Sequence, residues 1–200
     1  MLSQAEKGGV QNTIQNCVTV LQNDPVLADS IRLNLLSERI DIVKPMGWQR
    51  SGPTLTDTDM MYILRRMEKY GLYSEKRVSA AIRIVANENH YHPIRDYLND
   101  LKWDGTERIS HALHRFLGAA EDELTAEALK IFLLGAIKRV FHPGCKFEMM
   151  LCLVGGQGAG KSSFFRLLAI KDEWFSDDLR RMDDDNVFRK LQGHWIMDIS

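Results

Sequence analysis

The sequence contains Gly155-Gly156-Gln157-Gly158-Ala159-Gly160-Lys161-Ser162, which satisfies the pattern G-x-x-x-x-G-K-[ST] in full. Glycines let a backbone turn tightly, so that successive N–H groups can point inward around an anion. A helix that begins near Lys161 adds the positive end of its dipole. The pattern therefore predicts that residues 155–163, ending at Ser163, bind the phosphates of a nucleotide. Lys161 would reach the β- and γ-phosphates and the Ser162 hydroxyl would ligate Mg²⁺, so the expected cofactors are ATP and Mg²⁺.

The alternative is a glycine-rich loop without a ligand, and the flanking segments distinguish the two. Met149–Val154 is a continuous apolar run between turn signals, which predicts a strand buried on both faces of a parallel sheet. The pattern then predicts a helix at about 161–170, a strand at 174–179, a helix at about 183–191 and a strand over Trp195–Ile199. This order favours an α/β domain and a phosphate-binding loop.

Asp198 is the single carboxylate in the apolar stretch Trp195–Ile199. It lies near the carboxyl end of the predicted strand, where ligands bind in open parallel sheets. We expect Asp198 to hold the magnesium ion, directly or through a water, with Lys161 and Asp198 as the catalytic residues. The alternative is a carboxylate at an edge strand or turn.

The chain before this domain is predicted to be mainly helical. Apolar spacing predicts helices at 9–22, 56–70, from Ser74 onward, at about 94–101 and at 107–117, and a short strand over Arg39–Val43. Thr56 and Asp59 have the spacing of a capping box, and Gly71 and Gly118 would end helices. Trp103 precedes Asp104-Gly105 in a turn that we expect its buried ring to anchor.

The longest predicted helix is Thr125–Phe141, which is apolar almost all round in its middle. Such a helix is expected to be buried on most sides. We therefore predict an α/β protein with a helical N-terminal region, residues 1–118, followed by residues 119–200 as the N-terminal part of a P-loop NTPase domain with a parallel sheet. No polarising glutamate, sensor or arginine finger can be assigned before Ser200, so we expect a C-terminally truncated domain with weak or no turnover by itself.

Composition limits the partners. The 200 residues carry 26 Lys plus Arg and 27 Asp plus Glu, a net charge of -1, which excludes a polybasic protein that coats nucleic acid by bulk charge. The longest apolar runs, Ile131–Ile137 and Met149–Val154, are too short for a membrane span, so we expect no membrane partner. Three cysteines without a C-x-x-C pair favour a reducing cytosol, and a cytoplasmic protein is expected.

Other polar groups have weaker signals. His90 and His92, and His111 and His114, have spacings that can hold a metal, but no Cys or Glu stands at ligand spacing in sequence, so we predict structural or surface histidines.

Six basic residues could bind a DNA backbone or could form a solvated face: Arg65, Arg66, Lys69, Lys76, Arg77 and Arg83. Asp183-Asp184-Asp185 is predicted to cap the following helix.

From about Asn34 onward the chain resembles the virulence-associated protein E family, phage- and island-borne P-loop ATPases akin to superfamily 3 helicases. Besides the glycine-rich loop, the matching stretches are 92–98, 101–109, 143–147, 174–177 and 191–196. The resemblance implies an ATP-driven role in replication of phage or mobile-element DNA, DNA as a partner, and a homo-oligomeric ring in which a neighbour supplies an arginine. Asp198 stands where family members usually carry Glu.

Three functions remain open at this point. The first is a helicase-like ATPase motor in which water attacks the γ-phosphate with Mg²⁺ assistance. The second is a nucleotide-binding regulatory or interference module that does not hydrolyse. The third is a small-molecule kinase, which would need an acceptor pocket and a lid; residues 163–200 contain no arginine-rich lid insertion.

Overall fold

A computed structural model of the chain describes residues 2–4, 9–179 and 190–199. The residues group into two compact units, Met1–Pro93 and Ile94–Ser200. The predicted domain boundary at 118/119 lies further along the chain than this division, so residues 94–118 group with the second unit.

The first unit is built from three helices and a hairpin of two strands among its described residues. The helices are α1 (Ile14–Asn23), α2 (Asp57–Met67) and α3 (Glu75–Glu88). Strands β1 (Ile31–Asn34) and β2 (Arg39–Ile42) pair antiparallel, with Ile31 opposite Ile42. The hydrophobic core includes the fully buried residues Leu21, Ile31, Ile63, Met67, Leu72 and Val78. The predicted strand at 39–43 is confirmed, and β1 is the partner that the sequence pattern did not reveal.

Capping residues fix the termini of these helices, and most of the termini lie where the sequence predicts. The Thr56 side chain accepts from the Asp59 amide while the Asp59 carboxylate accepts from the Thr56 amide, which confirms the capping box. Gly71 has φ 74° and closes the 3₁₀ turn Glu68–Tyr70 that follows α2. Ser74 caps α3, as predicted. Helix α1 begins later than predicted, at Ile14, because the Thr13 hydroxyl accepts from the Asn16 amide and fixes the first turn there.

The second unit contains helices and a short parallel pair of strands. The helices are α4 (Pro93–Asp100), α5 (Ile109–Leu117), α6 (Glu123–Phe141) and α7 (Lys161–Leu168). Strand β3 (Phe175–Ser176) directly follows a 3₁₀ turn, Asp172–Trp174, and pairs in parallel with strand β4 (Ile196–Met197). The chain is thus a mixed α/β protein, mainly helical with small sheets. The predicted helix at about 183–191 and the cap at Asp183–Asp185 lie outside the described residues, except for residues 190 and 191.

The prediction that Met149–Val154 forms a strand buried on both faces is wrong. No strand is formed there, and Met150 and Val154 are 70% and 99% exposed. Leu151 and Leu153 pack against the cluster of Leu113, Leu129 and Phe164, while the alternate residues Cys152 and Val154 are exposed. An apolar sequence indicates burial but does not show which elements would cover each face of the segment. Among the described residues only one face of Met149–Val154 is covered.

Two further burial predictions are corrected. Helix α6 is not buried on most sides: Ile131, Leu134 and Ile137 are 36–58% exposed, because its packing is confined to the stripe that contains Leu129 and Val140. The Trp103 ring is 82% exposed and does not anchor its turn. The turn is closed by polar groups instead, since Asp104 accepts from the Thr106 amide at 3.0 Å and from Arg108 at 2.6 Å.

None of the helices within the described ranges combines the length and the apolar character that a bilayer span requires.

Candidate functional site

The glycine-rich loop leads directly into α7, as the sequence predicts. Gly158 and Gly160 have φ angles of 81° and 82°, a left-handed backbone that glycine adopts without strain. The Ala159 amide donates to the Gly156 carbonyl at 3.4 Å, and the Phe164 amide donates to the Gly160 carbonyl at 2.8 Å. The loop therefore makes a tight turn and continues into the helix within one residue.

The N-terminus of α7 differs from the other capped helices in its side-chain chemistry. Helices α1, α2, α3 and α6 begin after residues whose side chains accept a first-turn amide: Thr13, Thr56, Ser74 and Asp122. Helix α7 begins after Gly160, which provides no side-chain acceptor. The first amides of a helix have no intrahelical partner, so those of α7 can donate to an anion.

The Lys161 ammonium lies over the loop. Its Nζ donates to the Gly155 carbonyl at 2.9 Å and to the Gly156 carbonyl at 2.8 Å. These two carbonyls hold the side chain curled back toward the start of the loop. A phosphate oxygen would be a stronger acceptor than either carbonyl, because its negative charge adds a Coulomb attraction to the ammonium that a neutral carbonyl does not offer.

One cavity of about 380 Å³ brings the predicted catalytic residues together. Lys161, Ser162 and Asp198 all line it. The rest of its wall consists of Phe132, Met150, Leu151, Cys152, Leu153, Phe165, Met197 and Ile199. The rings of Phe132 and Phe165 contact edge to face at 5.7 Å between centroids. Their helical spacing indicates packing and gives no signal of a cavity.

Asp198 has an unsatisfied oxygen in this cavity wall. The parallel pairing of β3 with β4 fixes its backbone, and its amide donates to the Ser176 carbonyl at 2.9 Å. Its Oδ2 is buried and has no hydrogen-bond partner within the part of the chain that the structure describes. A buried carboxylate oxygen without a partner is costly, so this position is suited to a cation. The carboxylate of Asp198 and the hydroxyl of Ser162 are oxygen ligands of the kind that Mg²⁺ prefers, and the donor set fits that ion.

A second cavity, of about 330 Å³, lies on the other flank of the segment that precedes the loop. It shares Leu151, Cys152, Leu153 and Lys161 with the first cavity and also includes Gly155 and Ala159 of the loop. The remaining walls come from α5, α6 and the turn between them. Lys161 therefore borders two cavities, one containing Ser162 and Asp198 and one lined mainly by aliphatic groups.

The histidines have structural contacts. His111 Nδ1 lies 2.9 Å and His114 Nε2 3.9 Å from the Glu121 carboxylate, a contact that the spacing of these residues in the sequence does not predict. The turn after Gly118 brings Glu121 back to α5, which linear spacing does not reveal. His90 lies 2.9 Å from the Asn87 carbonyl, and His92 is buried. Among the described residues no group of three or more His, Cys, Asp or Glu side chains is arranged to hold a metal.

The six basic residues of α2, the 3₁₀ turn after it and α3 are not equivalent. Arg66 donates to the buried carboxylate of Asp24 at 2.5 Å, and Arg77 donates to the Asn12 carbonyl. Burial alone would raise the pKa of Asp24, but hydrogen bonds from Arg66 and Tyr70 outweigh it and hold the pKa below its ordinary value. These contacts give Arg66 a structural role. Arg65, Lys69, Lys76 and Arg83 are exposed, and their contact with DNA stays a prediction.

In the second unit, Lys161 at the N-terminus of α7, Ser162 and Asp198, which directly follows β4, line one cavity beside the glycine-rich loop. A sequence model of the virulence-associated protein E-like domain matches residues 98–200, just over half of the chain. The chain therefore belongs to the virulence-associated protein E-like family. No curated protein matches the chain.

Proposed function

We propose that the chain binds MgATP through Gly155–Ser163 and Asp198. The observation that carries this proposal is the cavity lined by Lys161, Ser162 and Asp198, together with the buried Oδ2 of Asp198, which has no hydrogen-bond partner among the described residues. A positive group, a hydroxyl and an unsatisfied carboxylate around one cavity form a set that a metal-bound triphosphate would complete. The uncapped first turn of α7 supports the same ligand.

Each residue has a distinct task in this proposal. The amides of the loop and of the first turn of α7 donate to phosphate oxygens, and the Lys161 ammonium exchanges its bonds to Gly155 and Gly156 for bonds to phosphate. Ser162 and Asp198 hold the metal. Mg²⁺, when bound, would neutralise phosphate charge and favour attack at the γ-phosphate. The residues thus contribute mainly positioning and charge neutralisation.

We propose further that the family membership reflects a helicase-like ATPase motor in replication of phage or mobile-element DNA. The relation to P-loop motors of superfamily 3 rests on the glycine-rich loop and on the stretches quoted from the sequence. In such a motor the chain would assemble as a homo-oligomeric ring and a neighbouring subunit would supply an arginine. The non-hydrolysing regulatory module and the small-molecule kinase are the alternatives that experiments must separate.

The test of binding is isothermal titration calorimetry with MgATP on the 200-residue chain, its Lys161→Ala variant and a Lys138→Ala control. Lys138 is exposed near the end of α6 and lines neither cavity. We expect Lys161→Ala to weaken binding about 100-fold, the effect of removing a charge-assisted bond of about 2–3 kcal/mol, and Lys138→Ala to leave it unchanged. Equal affinity in all three proteins would overturn the proposal.

Phosphate release by the protein separates the functions. Release that single-stranded DNA stimulates supports the motor, and tight binding without turnover identifies the regulatory module. Transfer of the phosphoryl group to a small-molecule acceptor identifies the kinase.

A further inference from the structure

The cavity of about 330 Å³ beside the loop has a composition unlike that of the cavity around Asp198. Its walls come from the end of α5 and the following turn, from α6, and from the segment that precedes the loop: Leu113, Leu117, Gly118, Ala119, Leu124, Thr125, Ala128 and Leu151–Gly155. Ala159 and Lys161 complete it. Apart from Lys161, no charged side chain among the described residues lines it. The volume falls in the range of small-molecule sites, about 300–1,000 Å³.

The few polar side chains of this cavity already have partners or donate poorly. Thr125 is bound to Asp122, which accepts from its amide at 2.8 Å and also from its side chain. Lys161 is bound to loop carbonyls. The thiol of Cys152 is a weak donor. The side chains therefore offer a ligand apolar contact and hardly any hydrogen bonding.

We infer that this cavity takes the nucleobase of the bound nucleotide and holds it by apolar contact, without side-chain readout of the base edge. The inference rests on the proposed function, because it needs the triphosphate on the loop. Gly155, Ala159 and Lys161 belong both to the loop and to the cavity wall, so a ligand whose phosphates lie on the loop has this cavity next to it. A flat aromatic base is the part of a nucleotide whose surface suits aliphatic walls.

The consequence is weak discrimination between bases. A site built to hydrogen-bond a particular group rejects an analogue by a factor of about 10⁴–10⁵, whereas an apolar pocket discriminates by shape, by about 10–200-fold. The side chains of this cavity provide the second kind of contact. ATP and GTP are therefore expected to bind with affinities within about 100-fold of each other.

The experiment is calorimetry with three probes, namely MgATP, MgGTP and inorganic triphosphate with Mg²⁺, on two matched variants. Ala128→Phe fills the nucleobase cavity from α6. Ala126→Phe makes the same change two residues earlier on the same helix, at a position that does not line this cavity. We expect Ala128→Phe to lose at least tenfold in affinity for ATP and GTP while its affinity for inorganic triphosphate stays unchanged, and Ala126→Phe to match the wild type with all three probes.

The outcomes separate the two proposals. If Ala128→Phe binds ATP as tightly as Ala126→Phe does, or if ATP and GTP differ by more than about 1,000-fold, the nucleobase inference is wrong while the loop can still bind phosphate. If the wild type does not bind inorganic triphosphate, the proposed function itself fails. Should Ala128→Phe lose its helical circular dichroism, Ala119→Leu, which fills the cavity from the turn after α5, replaces it with the same expected and contradicting results.

Discussion

The Asp198 amide donates to the Ser176 carbonyl at 2.9 Å, one residue beyond the last pair of the parallel ladder between β3 and β4. At the other end of the ladder the Trp195 amide donates to the Trp174 carbonyl at 2.7 Å. These bonds fix the backbone at the carboxyl end of β4. Asp198 is thereby held in a cavity wall, and its buried Oδ2 has no partner among residues 2–4, 9–179 and 190–199. The fold thus maintains an unsatisfied carboxylate beside Lys161 and Ser162.

Asp198→Asn is expected to weaken Mg²⁺-dependent ATP binding by about 10- to 100-fold, because a neutral amide is a poorer ligand for a hard cation. Without ligand, its free energy of unfolding should equal or exceed that of the wild type, because a buried anionic oxygen without a partner is destabilising. Calorimetry and urea unfolding measure the two quantities. The matched control is Asp178→Asn, whose side chain is exposed and should change neither. A fall in stability with unchanged affinity would assign Asp198 a structural role.

Gly160→Ala is expected to lower the free energy of unfolding by about 1 kcal/mol, because an alanine at φ 82° is strained. Triphosphate binding should weaken about tenfold as the first-turn amides shift, the equivalent of one hydrogen bond. Gly156→Ala is the control, since Gly156 lies outside the left-handed region and a Cβ there meets nothing within 4 Å. Urea unfolding should show Gly156→Ala close to the wild type; equal losses in both variants would contradict the role given to the φ angle.

Gly135→Ala tests a close contact within the second unit. A Cβ at Gly135 would clash with the ring of Phe147, so the ring must move and stability should fall by about 1–3 kcal/mol. In a Phe147→Ala background the same substitution should instead raise stability by about 1 kcal/mol, because alanine is the better helix former. Urea unfolding of the four proteins completes the cycle. A stabilising Gly135→Ala in the wild-type background would show that the ring does not rest on Gly135.

Acid should weaken the first unit through Asp24. Its pKa is held below the ordinary 3.8, despite burial, by Arg66, Tyr70 and two backbone amides. A carboxyl whose pKa is lower in the folded state contributes stability that is present above about pH 4 and is lost as the pH falls through the folded pKa. Asp24→Asn should therefore cost about 3 kcal/mol at pH 7, and this difference should shrink as the pH falls from 5 to 2.

Asp29→Asn is the control for that pH series. Asp29 pairs with Lys44 at 3.3 Å, but its side chain is 84% exposed, and such surface pairs contribute about 0–1 kcal/mol. Urea unfolding between pH 2 and pH 7 should give nearly parallel curves for Asp29→Asn and the wild type. A difference between Asp24→Asn and the wild type that stays constant over this range would contradict the assignment.

The sequence predicts those parts of the fold that short-range chemistry determines. Thr56 and Asp59 cap each other, Gly71 and Gly118 adopt left-handed φ, and α7 begins at Lys161, because each depends on residues within one helical turn. The position of Asp198, one residue after the parallel strand β4, agrees with the general rule that ligand groups gather at the carboxyl ends of parallel strands.

Burial is where the sequence is least informative. Leu134 in α6 and Val154 before the loop are apolar, which predicts burial, yet both are exposed. The apolar character of a side chain does not specify which neighbouring element would cover it. Trp103 shows the same limit, because the ion pair of Asp104 with Arg108 closes the turn without the ring. The approach of Glu121 to His111 and His114 depends on the direction of a turn, which spacing does not give.

A ¹⁵N–¹H NMR titration of the chain with inorganic triphosphate and Mg²⁺ tests most directly whether the glycine-rich loop binds phosphate. We predict that the largest chemical-shift changes fall on the amides of Gly156–Ser163 and that the Asp198 amide shifts only when Mg²⁺ is present. Lys161→Ala should remove both effects. Resonances of that loop that stay in place at saturating triphosphate, or shifts confined to α2 and α3, would contradict it.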